Sequence, residues 1–232
     1  MNELLLIGSV LLVYGGVICA YRFFGKYGLY TFSAVATVLA IIEVLIIIKA
    51  FGMEQTLGNV MFASTYLITD ILSENYGKKQ ASRAVYIGLF TSLIMLVFTQ
   101  YWFLYIPSGS DWVMPSVKEI FSTTPRLMAA SLIGYVVSQR MDVFLYHKWW
   151  SITSKKFGDS RKFLWIRNNG STLISQIINT ILFNSLAFAG WYDTKNLISI
   201  IISSYIIYIF TSLLDTPFVY IARYFKEKNI VE

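Results

Sequence analysis

Charge is scarce in this sequence. Only 14% of its 232 residues are Asp, Glu, Lys or Arg, where an average soluble chain carries about 25%. That is too little to cover a soluble surface. There is one cysteine, Cys19, and one histidine, His147. A lone cysteine excludes an intrachain disulfide and any multi-cysteine metal site. A lone histidine excludes His-cluster zinc sites and leaves a Ser-His-Asp site without support. Gly77-Lys78-Lys79 has no glycine five residues upstream, so there is no phosphate-binding G-x-x-x-x-G-K-[ST] loop. The chain cannot hydrolyse ATP by that route. Asp70 and Asp215 stand in Ile68-Thr69-Asp70 and Leu213-Leu214-Asp215, without the G-x-G-D of an intramembrane aspartyl protease. No repeated filter sequence marks a channel. These absences lead us to expect no enzyme, no catalytic residue, no cofactor and no metal.

What is abundant is apolar. Hydrophobic residues make up 56% of the chain, aromatics 17%, and the mean hydropathy is +0.59. A membrane-spanning helix needs about 20 mostly apolar residues. Seven stretches qualify or nearly so: 4–22, 29–49, 57–74, 84–105, 126–146, 171–190 and 197–221. The expected class is all-α, a polytopic helical membrane protein of about seven transmembrane helices. Runs such as Leu45-Ile46-Ile47-Ile48 are continuous and do not alternate, which argues against a β-barrel. The third stretch, with Asp70 and Glu74, is the least apolar and could be short or partly re-entrant. Met1-Asn2-Glu3 lacks a positive leader, and Ile18 stands before Cys19 where a lipoprotein signal needs a small residue. The first span is therefore expected to be retained.

Lys and Arg alternate loop by loop. Fourteen fall on one side: Arg22 and Lys26, then Lys78, Lys79 and Arg83, then six from Lys148 to Arg167, then Arg223, Lys226 and Lys228. Four fall on the other: Lys49, Lys118, Arg126 and Lys195. Arg140 lies inside the fifth stretch. By the positive-inside rule this puts the N-terminus outside and the C-terminus in the cytoplasm of a multi-pass protein in the cell membrane. The net charge of +6 is then a topology signal facing a lipid bilayer, not a nucleic-acid footprint.

Ionisable groups at membrane depth are costly, so each is a functional candidate. They are Glu43, Asp70, Glu74, Arg140, Asp142 and Asp215. Asp70, Asp142 and Asp215 fall in the inner parts of their spans. In the sixth span Ser171, Ser175 and Asn179 recur every four residues, with Thr172 and Gln176 on the adjoining strip. That makes one helix face polar to about mid-membrane. Asn168 and Asn169 extend it into the preceding loop. Four helices thus present acids and amides at similar depth, and we expect them to converge on a cavity biased toward the cytoplasm. Each residue also has a structural reading. Arg140 can snorkel, Glu74 can sit in the basic inner loop, and the Ser175, Gln176 and Asn179 side chains can serve as helix–helix glue. Pro217, after Asp215-Thr216, removes a helix hydrogen bond and bends the chain there.

Three segments carry a resemblance. They are Thr69-Asp70-Ile71-Leu72-Ser73-Glu74-Asn75-Tyr76-Gly77-Lys78-Lys79, Arg167-Asn168-Asn169-Gly170-Ser171-Thr172-Leu173-Ile174-Ser175-Gln176 and Leu214-Asp215-Thr216-Pro217-Phe218-Val219-Tyr220. In this order they are similar to the queuosine-precursor transporter family of the vitamin-uptake-transporter group, over roughly residues 30–225. The resemblance implies an importer of 7-deazaguanine bases such as queuine, for salvage into tRNA modification. It also implies a six-helix core at 29–225, an extra N-terminal helix and loop at 1–28, and a cytoplasmic tail at 226–232. Two positions depart from the family pattern. An acid's usual place holds Asn179, and a usual Lys, seven residues before Asp215, is Tyr208. A traded ion pair would leave the net charge unchanged.

A 7-deazaguanine is flat, with amide-type donors and acceptors on one edge. The amides of Gln176 and Asn179 can match that edge, and Asp70 or Asp215 can accept from its N–H groups. An aromatic such as Tyr66, Tyr208 or Phe183 can stack on the ring. The expected substrate-binding set is Asp70, Gln176, Asn179, Asp215, Ser175, Asn169, Glu74 and Tyr208. The alternatives are a capture subunit for another vitamin or nucleobase, served by an external ATPase module, and a non-transporting membrane interaction protein.

Overall fold

The computed structural model describes residues 1–122 and 124–231; Thr123 and Glu232, the last residue of the expected tail, lie outside the described residues. The elements run α1 (Asn2–Glu43), β1 (Ile47–Ala50), β2 (Met53–Thr56), α2 (Gly58–Tyr76), α3 (Lys78–Trp102), α4 (Met114–Ser122), α5 (Thr124–Phe157), α6 (Leu164–Phe188) and α7 (Thr194–Glu227). Helices α1, α3, α6 and α7 are each long and apolar enough to cross a membrane, and the bent pair Met114–Phe121 with Arg126–Phe157 makes a fifth candidate. The protein is an all-α polytopic membrane protein.

Helix α1 has 42 residues, about 63 Å if straight, roughly twice a bilayer core. It is not straight. Gly25 takes φ 57° and ψ −143°, a conformation open to glycine at little cost. A side chain added at Gly28 would strike the Ala20 carbonyl, and one added at Gly16 would come within 3.1 Å of the Phe32 ring. Residues 16 and 32 would be about 24 Å apart on a straight helix. The two arms of α1 therefore lie side by side, and the expected spans 4–22 and 29–49 are these arms. The Asn2 amide donates to the Lys49 carbonyl at 2.9 Å, while the Arg22 guanidinium donates to the Ile230 carbonyl at 3.3 Å. The first arm thus runs the full height of the bundle.

The second arm stops at Glu43, earlier than the expected 49. The β-branched run Ile46-Ile47-Ile48 leads into a tight turn, in which Phe51 and Gly52 both have positive φ. Strands β1 and β2 pair antiparallel across that turn, Ile47 opposite Thr56 and Ala50 opposite Met53. Two positive φ values match the twist of a two-residue hairpin. A run that reads as continuous helix thus ends in a small strand pair. We call this the hairpin end of the bundle. The opposite, basic end collects Arg22, Lys26, Lys78, Arg161, Lys162, Arg223 and Lys226. There the Lys26 and Lys226 ammonium groups lie 5.9 and 4.4 Å from the Tyr76 ring centre.

Helix α2 explains why the third stretch is the least apolar. All of Ala63–Ser73 is buried, with α1, α3, α5 and α7 packed around it. Its solvent is protein, so it can carry Asp70 and many hydroxyls without meeting lipid. It runs unbroken from Gly58 to Tyr76 and is not among the helices apolar enough to cross a membrane on composition alone. Helix α6 begins at Leu164, so Asn168 and Asn169 lie within a helix and not in a loop.

Candidate functional site

Side chains three or four residues apart share a helix face. Four such stripes meet at the centre of the bundle. Helix α2 gives Phe62, Tyr66, Thr69, Asp70, Ser73 and Glu74. Helix α5 gives Tyr135, Ser138, Gln139, Asp142 and Tyr146. Helix α6 gives Asn168, Ser171, Thr172, Ser175 and Asn179, and α7 gives Tyr208, Ser212, Asp215 and Thr216. Their hydrogen bonds form a column in successive layers. Gly134 permits the close approach of α5 and α6, since a side chain there would come within 2.8 Å of Asn179 Oδ1.

At the hairpin end the column opens into a narrow cavity of about 60 Å³, which must widen to admit a ligand of a base's size. Phe62, Tyr135, Phe183 and Tyr208 supply aromatic walls, and Asn59, Asn179, Thr37, Thr56, Ser92 and Ser131 supply polar groups. Phe62 stands 6.2 Å from both Tyr135 and Tyr208, ring centre to ring centre. The Asn59 Oδ1 accepts from the Tyr208 hydroxyl at 3.1 Å and from Thr56 at 3.3 Å. This fixes the amide and leaves its Nδ2 buried with no partner among the described residues.

Below the cavity the Tyr66 hydroxyl donates to Ser138 at 2.8 Å. Gln139 donates to Thr65 at 2.6 Å and accepts from Thr69 at 3.2 Å. The next layer holds the acids. Asp70 and Asp142 are 0% exposed and Asp215 is 1% exposed. The Thr172 hydroxyl lies 3.2 Å from Asp70 Oδ2 and 3.3 Å from Asp142 Oδ1. Ser175 donates to Asp142 Oδ1 at 3.0 Å, and Asn168 donates to Asp215 Oδ1 at 2.7 Å. Asn169 links Thr216 and Ser212 at 2.7 and 3.1 Å.

The column closes at the basic end. Arg167 grips Glu74 with two prongs, Nε to Oε2 at 2.9 Å and Nη2 to Oε1 at 2.6 Å. Tyr146 adds a hydroxyl to Oε2 at 2.7 Å. Arg223 stands 3.5 Å from the same carboxylate, and Trp150 covers the Arg167 guanidinium at 4.4 Å. Charge-assisted bidentate pairs of this kind are the strong ones.

The structure brings the expected residues into one column but not into one cavity. Asn179 and Tyr208 line the cavity. Asp70, Ser175, Gln176, Asp215, Asn169 and Glu74 lie deeper, packed among protein groups. The convergence of four helices is present, but the cavity is at the hairpin end and not among the acids. Asp70 is eight residues beyond Phe62, about 12 Å along the axis. Glu43 ends α1, and Arg140 lies over the Tyr86 ring at 5.9 Å, so neither joins the column. Sequence reasoning placed Arg167 among loop cations and gave no role to Asn59, Ser138 or Gln139. The spacing of Ser138 and Gln139, three to four residues from both Tyr135 and Asp142, was the available signal; Asn59 carried none.

The profile of a family described as "Putative vitamin uptake transporter" matches residues 56–222. A curated protein of Bacillus subtilis (strain 168), "Probable queuosine precursor transporter", is 36% identical over 207 residues, 89% of this chain and 88% of that protein. No solved structure matches.

Proposed function

This chain belongs to the vitamin uptake transporter family, and we propose that within it the chain imports queuosine precursors, 7-deazaguanine bases such as queuine. The observation that carries the reading is the cavity at the head of a polar column, together with the named relative. A flat base packs against the Phe62, Tyr135 and Tyr208 rings; Phe62 meets each of the other two at 6.2 Å, centre to centre, and the rings part to admit it. Its amide-type edge meets the free Nδ2 of Asn59 and the Asn179 amide. From there Ser175, Gln176, Asp70, Asn169 and Asp215 offer successive polar partners, and the Glu74–Arg167 pair is the gate at the far end. The protein performs no covalent chemistry in this reading.

The orientation follows from charge. The basic end faces the cytoplasm and the hairpin end the exterior, with the N-terminus outside and seven crossings, each arm of α1 counting as one. The transporter core is 29–225, within which the family match falls. The segment 1–28 is an added helix, and 226–232 is a cytoplasmic tail.

The experiment is uptake of radiolabelled queuine into cells stripped of their own transporter. Accumulation on expression of this chain supports the reading. Uptake that appears only with a co-expressed ATPase module reassigns the chain as a capture subunit. No uptake, with the protein inserted in the membrane, contradicts import.

A further inference from the structure

The acid layer has more acceptors than donors. Asp70, Asp142 and Asp215 present six carboxyl oxygens in a layer sealed from water. Thr172, Ser175 and Asn168 stand within hydrogen-bond distance of them as donors, and the Ser171 and Thr69 hydroxyls also stand beside Asp142. Asp70 Oδ1 and Asp142 Oδ2 have no hydrogen-bond partner among the described residues. Two neutral acceptors in the same stretch of α6, Asn168 Oδ1 and Gln176 Oε1, are also buried without a partner. Asn168 is held in this layer by its own bond to Asp215. An unpaired buried acceptor is costly, and a proton on a neighbouring carboxyl turns one of these acceptors into a donor.

Thr172 sharpens the count. Its hydroxyl contacts Asp70 and Asp142 at once, yet it carries a single proton. It can donate to one carboxyl only. The other contact is a hydrogen bond only if that carboxyl is itself protonated and donates to the Thr172 oxygen.

Among the described residues no cation stands beside the acids instead. Facing the acids are Tyr14 from α1, whose hydroxyl donates to the Thr211 carbonyl, Tyr66 and Glu74 from α2, and Tyr146 from α5. The cation at this depth, Arg167 from α6, has two prongs on Glu74. Three unpaired carboxylates buried together would cost many kcal/mol, and such groups take up protons instead.

We infer that Asp70, Asp142 and Asp215, joined through Thr172, Ser175 and Asn168, form a proton-binding site that couples inward movement of the base to inward movement of a proton. This rests on the import reading above and adds its energy source. The hydrogen-bonded layer of Tyr66, Ser138, Gln139 and Thr69 links the site to the cavity. A proton entering from the hairpin end converts a carboxylate to a carboxylic acid, and it leaves toward the basic end when the Glu74–Arg167 gate opens. Only an O–H bond forms and breaks.

The test uses the purified full chain in proteoliposomes with radiolabelled queuine. With acid outside by one pH unit and no other gradient, one proton per base sustains about tenfold accumulation. Trapping of a weakly basic ligand would run the other way. Accumulation with acid outside, and none with a sodium gradient, supports the proposal. Exchange of labelled for unlabelled base with no pH-driven accumulation overturns it and leaves import standing. Accumulation driven by sodium also overturns it. A protein that exchanges no base at all overturns the import reading itself. In Asp142→Asn the ratio of driven accumulation to exchange falls toward one. Thr172→Val, which keeps every carboxyl, lowers the same ratio. If both variants keep the wild-type ratio, the acids are not the coupling site.

Discussion

Glu74 and Arg167, 93 residues apart in sequence, close the basic end of the polar column with two hydrogen bonds of 2.6 and 2.9 Å. Both side chains are buried, at 5% and 0% exposure. Breaking a buried pair from one side costs up to about 3–5 kcal/mol, here softened by Arg223 at 3.5 Å and the Tyr146 hydroxyl at 2.7 Å from the same carboxylate. Arg167→Met should therefore lower the thermal stability of the purified protein. The double variant Glu74→Leu/Arg167→Met should recover much of the loss. A melting series that shows simple additivity would mean the pair does not act as a unit.

Asp70→Asn and Asp215→Asn should each reduce queuine uptake by about tenfold or more, the scale of one charged hydrogen bond. Membrane insertion should be retained. Uptake assays normalised to inserted protein check this. Normal rates in both variants would make the two acids structural.

Asn179 and Tyr208 face the same cavity from α6 and α7. Asn179→Asp alone places an unpaired acid there, and Tyr208→Lys alone an unpaired base. Each should lower stability and uptake, and the double change should regain part of both. Thermal melting and uptake on all four forms of the cycle would show it. No regain in the double variant would mean the positions are not ion-pair equivalents.

The reversal of α1 rests on small residues. Gly28→Leu should drive a side chain into the Ala20 carbonyl and force the arms apart. The expected outcome is a markedly lower melting temperature and loss of uptake. Gly8→Leu, where open space surrounds the position, should behave like wild type. Equal behaviour of the two variants would argue that the arms need no close contact.

Topology reporters fused after Lys148 and after Lys228 should both give a cytoplasmic signal, and one after Asp111 an external signal. An external signal after Lys228 would overturn the seven-crossing orientation.

Much of this architecture is legible in the residues. Apolar runs locate the helices, and the loop charges separate the two ends, because both are consequences of the membrane as solvent. The every-fourth-residue pattern of Ser171, Ser175 and Asn179 locates the polar, inward face of α6. Other features depend on information that no local pattern holds. Gly25 looks like any loop glycine, yet it reverses a helix on itself. Ile47 and Ile48 read as span residues, yet the Phe51-Gly52 turn recruits them into strands. Arg167 reads as one more loop cation, yet its partner Glu74 comes from a distant helix. The position of the cavity, expected among the acids, is missed for the same reason. Its walls come from α1, α2, α3, α5, α6 and α7, and the gap between them exists only once they are packed.

The central claim is that this cavity recognises a 7-deazaguanine base, and equilibrium binding to the purified protein in detergent tests it most directly. Radiolabelled queuine should bind saturably, and excess 7-deazaguanine should displace it while adenine and biotin do not. Asn59→Leu, which removes the unpaired donor at the cavity, should weaken that binding by about tenfold or more. Absence of saturable binding, or displacement by biotin as effective as by 7-deazaguanine, would contradict the claim.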